Sequence, residues 1–288
     1  MAALTATRTP HGQQVARIVI LILALVLYFT PLVSAAIFGF TLPGKGFTFG
    51  AVVPALSETG FWSGVITTIE LAILTSVLSL ALLLPTLIWL HLRSPRLLAI
   101  AEGLSLIPFV VPAVALVSGA NLFFRAVAPS FLVSVYSLVP FYVVLALPLV
   151  FRALDAGIRA IDVRTLMDAA ASVGAGGFRS IVQIIQPNLR SAILSATLLS
   201  SAFVIGEYAL ASLLLHSTFP VLVVVAGQTE PRAAAALSFI AIVGTWLLML
   251  LLSISSGGKQ FKLVAITADV ESVDKKPLDT KEVTLGER

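Results

Sequence analysis

Few side chains in this sequence are of a type and spacing to do chemistry. Glu207 is the one acid set deep in a long apolar run. There a carboxylate either lines a path, meeting a cation, or hydrogen-bonds a neighbouring helix. Glu70 lies near the end of another apolar run and reads as an interfacial structural residue. Asn121 and Arg125 follow a third, where solvation accounts for them. A membrane-embedded enzyme would need paired acids, clustered histidines or a Ser/Lys dyad. The three histidines, His11, His91 and His216, fall in or beside loops without the spacing of metal ligands. The absence of cysteine excludes disulfides, thiolate metal sites and cysteine nucleophiles. No Gly-x4-Gly-Lys-Ser/Thr phosphate loop occurs either. The nearest stretch, Gly257-Gly258-Lys259, lacks the first glycine and the following hydroxyl. Energy for any work must therefore come from a partner or from an ion gradient.

The elements that would position these residues are membrane helices. Hydrophobic residues make up 58% of the 288 and charged residues 11%, against roughly 45–50% and about 25% in water-soluble chains. Six stretches reach the ~20 apolar residues that cross the hydrocarbon in a helix. They are 18–38, 64–90, 97–119, 131–151, 192–215 and 233–255. None alternates with period two, which argues against a β-barrel. The first run follows Arg8 and Arg17 and ends in Ser34, Ala35 and Ala36, like a signal peptide. Its length and the five runs after it favour a retained helix. With residues 1–17 in the cytoplasm, only Lys45, Arg125 and Arg232 of the 18 basic residues fall outside. That asymmetry puts both termini inside. The net charge of +4 then belongs to loops facing an anionic leaflet, not to a nucleic-acid surface. Pro85, Pro108, Pro112, Pro140 and Pro148 punctuate the runs and are expected to bend them. The polar stretch 257–288 reads as a disordered or loosely held extension.

The connector 152–190 is long for a link between membrane helices and patterned for order. Asp162 can cap a helix beginning Val163-Arg164-Thr165, and Gly174 can end it. Leu166, Met167, Ala170 and Val173 would share one face, leaving the rest of the surface mainly to Ala and Ser. The helix is about eleven residues and ~16 Å long, too short to stand alone, so it needs a partner or a supporting surface. A second helix follows, with Phe178, Ile181, Val182 and Ile185 in one apolar stripe. Pro187 is expected to stop it, and Asn188 to cap the next span. An interfacial hairpin with no partner is the alternative reading.

Asp168-Ala169-Ala170, three residues, Gly174, nine residues, then Ile184-Ile185-Gln186-Pro187 resembles the EAA loop. That loop marks the permease subunits of binding-protein-dependent ABC importers, with Glu-Ala-Ala, three residues, Gly, nine residues and Ile-x-Leu-Pro. Asp168 stands for the Glu and Gln186 for the Leu. The resemblance covers roughly 63–252, and Gly206-Glu207-Tyr208 is similar to a Gly-Glu-Phe in the branch handling polyamines, iron, thiamine, phosphonates, sulfate and molybdate. It implies an all-α integral membrane protein of the type I, MetI-like permease fold, with about six transmembrane helices and a cytoplasmic coupling loop. Asp168, Ala169, Ala170, Gly174, Ile184 and Pro187 would form that loop, with Glu207 a possible pathway residue. Implied partners are two ABC ATPase subunits holding ATP and magnesium, a second permease subunit and a periplasmic or lipid-anchored solute-binding protein. The implied location is the bacterial plasma membrane. The chain itself would hold no cofactor or metal and would not be an enzyme. A secondary transporter driven by an ion gradient is the competing class; it would favour internal repeats and more intramembrane charge.

Overall fold

The computed structural model describes residues 11–44 and 46–255. The expected cytoplasmic N-terminus up to Pro10, Lys45, and the polar stretch 257–288 with Gly257-Gly258-Lys259 lie outside the described residues. The order is α1 His11–Phe40, a two-strand hairpin β1 Thr41–Leu42 and β2 Gly46–Phe47, α2 Val52–Leu56, α3 Phe61–Arg93, α4 Pro95–Val110 and α5 Ala113–Val127. A 3-10 turn Val135–Ser137 leads into α6 Leu138–Arg159. Then come α7 Val163–Ser172, α8 Gly177–Ser180, a π-helical turn Ile181–Ile185 and α9 Gln186–Asn188. The chain continues with α10 Arg190–Gly206, α11 Ala209–Leu213, α12 Phe219–Thr229 and α13 Pro231–Ser255. In the hairpin Thr41 faces Phe47 and Leu42 faces Gly46, antiparallel.

Among the described residues, four helical stretches are long and apolar enough to cross a membrane unbroken: Arg17–Phe40, Phe61–Arg93, Val135–Arg159 and Pro231–Leu250. Their outward faces carry large apolar side chains, such as Leu27, Trp62 and Trp89, each more than half exposed. Water would penalise such a surface, and lipid does not. The described residues thus form a predominantly helical fold suited to a bilayer, with four helices able to cross it, or six if each bent pair is one span.

Two expected spans are not single helices. The run 97–119 breaks into α4 and α5, bent by 93°. Pro112 lacks an N–H and disfavours helical geometry at the residue before it. Val111 and Pro112 are both extended, at ψ 119° and 139°, so the rod turns a corner. By contrast α3, α4 and α6 run on through Pro85, Pro108 and Pro148. The run 192–215 ends as α10 at Gly206, and Glu207 and Tyr208 separate it from the one-turn α11. The span expected at 131–151 is displaced: α6 begins at Leu138 and ends at Arg159, which shortens the following connector. Helix α12, entirely within an expected link, is a further apolar element of 11 residues.

Three apolar clusters hold the bundle. Leu87, Ile88, Val150, Leu154, Ile158 and Ile185 lie at the heart of the first. Leu71, Leu138, Tyr142, Val204 and Leu210 form the second. Phe40, Val52, Phe61, Val223, Ala236 and Leu237 form the third, joining the end of α1 to α2, α3, α12 and α13. Helices approach closely where a residue is small. Gly157 of α6 lies directly against Ala192 of α10, and Gly39 of α1 against the Ala236 backbone. Between α3 and α10 the seam is of hydroxyls. Thr75, Ser79 and Ser200 are fully buried, and Ser76 and Ser201 share a 3.1 Å hydrogen bond. Small polar residues of this kind let membrane helices pack closely.

Candidate functional site

The connector between α6 and α10 folds into an ordered helix-turn-helix. Asp162 opens it. Its carboxylate accepts the Thr165 backbone N–H at 3.1 Å and the Thr165 hydroxyl at 2.7 Å. These bonds, the hydroxyl first, hold the Asp162 carboxyl below its ordinary range. Gly174 closes α7 at φ 78°. The Ala175 N–H reaches back to the Ala170 carbonyl and the Gly174 N–H to Ala171, both at 3.0 Å. That pair of bonds is a Schellman cap, whose left-handed position suits glycine.

Val163 and Ala170 are buried under α7, while Leu166 and Met167 pack against the first cluster. Asp168 and Ala169 face outward, as does Ser172. Val173 was expected on the inner face; it lies in the cap rather than the helix and is 80% exposed. Beyond the turn Phe178 is 82% exposed. The expected stripe through Phe178 and Ile185 is split because Ile181–Ile185 winds as a π-turn, which shifts the helical period. Ile185 is buried, Ile184 half-buried, and Gln186 and Pro187 are exposed. Gln186 therefore buries no amide. The helical stretch that begins at Gly177 ends at Asn188, one residue beyond Pro187, close to where the proline was expected to stop it. Asn188 does not cap α10. Its side-chain amide donates back to the Ile184 carbonyl at 2.7 Å, and the 74° bend into α10 falls at Leu189.

Asp168, Ala169, Ala170, Gly174, Ile184 and Pro187 therefore belong to one folded unit. Glu207 is at the opposite end of α10, some ~25 Å away along a 17-residue helix. Its Oε1 accepts the Leu210 N–H at 2.9 Å, capping α11. Its Oε2 is buried beside the Tyr142 hydroxyl, near enough to interact but without an aligned hydrogen bond. Glu70 accepts the Tyr136 hydroxyl at 2.9 Å, tying α3 to the start of α6. Asn121, Arg125 and His216 line one open cleft of about 550 Å³.

A set of charges not foreseen from the sequence lies under α7. Asp155 of α6, 9% exposed, holds Arg159 Nε at 2.8 Å. His91 Nε2 of α3 approaches its other oxygen to 3.1 Å without forming an aligned hydrogen bond. Arg164 of α7 donates to the His91 and Leu92 carbonyls, both at 3.4 Å. Asp155 was hidden because Arg152 and Arg159 flank it, which places it in the connector 152–190 and outside the apolar run 131–151. Its signal was the apolar company of Phe151, Leu154 and Ile158 at helical spacing.

No protein-family model and no curated protein matches the sequence.

Proposed function

We propose that this chain is the membrane-spanning permease subunit of an ATP-driven, binding-protein-dependent importer in a bacterial plasma membrane, with both termini in the cytoplasm. The observation that carries the reading is the unit around Gly174. A short helix is fastened to the bundle along one side and presents Asp168, Ala169 and Ser172 on the other. The exposed Val173 and Phe178 flank its glycine turn. Apolar side chains of that size, exposed on an ordered polar connector, call for a protein groove. Small residues let α7 enter such a groove closely.

In this reading α7 is a coupling helix. Two separate ATPase subunits, holding ATP and magnesium, close on nucleotide and draw two such helices together. One belongs to this chain and one to a second permease subunit, identical or sister. The membrane helices then change which side of the bilayer they open to, and a solute-binding protein delivers cargo from outside. The gradient-driven alternative draws on Glu207, whose buried oxygen beside Tyr142 is the kind of group a proton relay uses.

The test is Gly174→Leu, which forces a side chain into a left-handed backbone position. Membrane insertion should be unharmed and ATP-driven uptake into proteoliposomes should fall about tenfold or more. Normal uptake in this variant, or uptake by the wild type without nucleotide, would overturn the reading.

A further inference from the structure

His91 is where three helices meet. Its ring reaches Asp155 on α6, its Nδ1 pairs with the Leu87 carbonyl of its own helix at 2.9 Å, and its carbonyl receives Arg164 of α7. The surroundings are apolar: Leu87, Ile88, Leu154 and Ile158 are all buried in the same cluster. A half-buried polar pair in such a place is a poor source of stability, because desolvation offsets most of the attraction. It does provide direction. Apolar helix contacts can slide, whereas a carboxylate between an imidazole and a guanidinium has few acceptable positions. The His91–Asp155 approach is also incomplete here, close in distance but unaligned. A small shift of α3 against α6 would complete it.

We propose that the His91–Asp155 pair is the joint through which displacement of α7 moves the adjoining ends of α3 and α6. Arg164 links α7 to the α3 terminus, and Arg159 holds the far side of the Asp155 carboxylate, with Glu102 the further charge near it. His91 and Asp155 are on this view positioning residues. The proposal rests on the coupling reading of α7, but its first test does not.

The chain has no cysteine, so spin labels can be placed on Arg93→Cys and Ser172→Cys alone, both exposed. Electron–electron resonance on the full chain in nanodiscs then reads the α3–α7 distance. One narrow distance is expected in the parent, and its loss in Asp155→Asn and in His91→Leu. In the complex with its ATPase, both variants should hydrolyse ATP while transport per ATP falls about tenfold. An unchanged narrow distance in both variants overturns the joint, whatever drives the chain. A lost distance with undiminished transport per ATP overturns its role in transmission. Normal transport in Gly174→Leu instead removes the coupling reading and transmission with it, leaving the distance test to decide the joint alone. Should Asp155→Asn not fold, His91→Leu, which keeps Asp155 paired with Arg159, carries both measurements.

Discussion

Asp162 shows how much one exposed carboxylate can decide. Its bonds to Thr165 favour the charged form, so its folded pKa lies below the unfolded one. The cap therefore contributes fully above the ordinary aspartate pKa of about 3.9. It is lost as pH falls through the lowered folded value. Hydrogen exchange over α7, corrected for intrinsic rates, should be flat from neutral pH down to about pH 4 and rise below it. Asp162→Asn, which keeps an acceptor, should abolish that rise, whereas Asp162→Ala should speed exchange at every pH. Asp162 and Gly174 were legible in the sequence because a cap needs only near neighbours. Glu207 was not. Its role as a local cap follows from the end of α10 at Gly206, and a lone glycine in an apolar run is tolerated within a helix as readily as it ends one.

At the scale of elements, apolar length identified α1, α3, α6 and α13 but not where rods break. Pro112 turns the chain and Pro148 does not, because Val111 adopts the extended form that proline prefers before it, while α6 is clamped by neighbours through Pro148. That clamping includes the contact of Gly157 with Ala192. Gly157→Leu should destabilise the chain by about 1–3 kcal/mol, since neither backbone can retreat without unpacking the cluster. Gly103→Leu on α4, where a new Cβ meets nothing within 4 Å, is the control and should leave thermal unfolding in detergent unchanged. Equal melting of the two variants would refute the close α6–α10 approach. Helix α12 was missed because its 11 residues fall short of a span and lie between two expected ones.

For the whole molecule, the distribution of basic residues predicts an orientation, and the fold gives that prediction two reporters. Ser172→Cys on α7 and Glu58→Cys beyond α2 are both exposed in a chain with no other thiol. In intact cells an impermeant maleimide should label Glu58→Cys and spare Ser172→Cys until the membrane is opened; the reverse pattern would invert the topology. The connector's helix-turn-helix was legible from local signals, and the ionic contacts beneath it were not, because His91 and Asp155 are 64 positions apart and only the fold brings them together. The π-turn at Ile181–Ile185 has a consequence of its own. A loop of that kind holds one residue more than the regular coil it replaces. Deleting a single residue there would regularise the rod and leave Pro187 close to its present bearing relative to Phe178, whereas the same deletion in a regular coil would swing it by about 100° around the axis. Residue spacing along this stretch thus counts letters without fixing bearings.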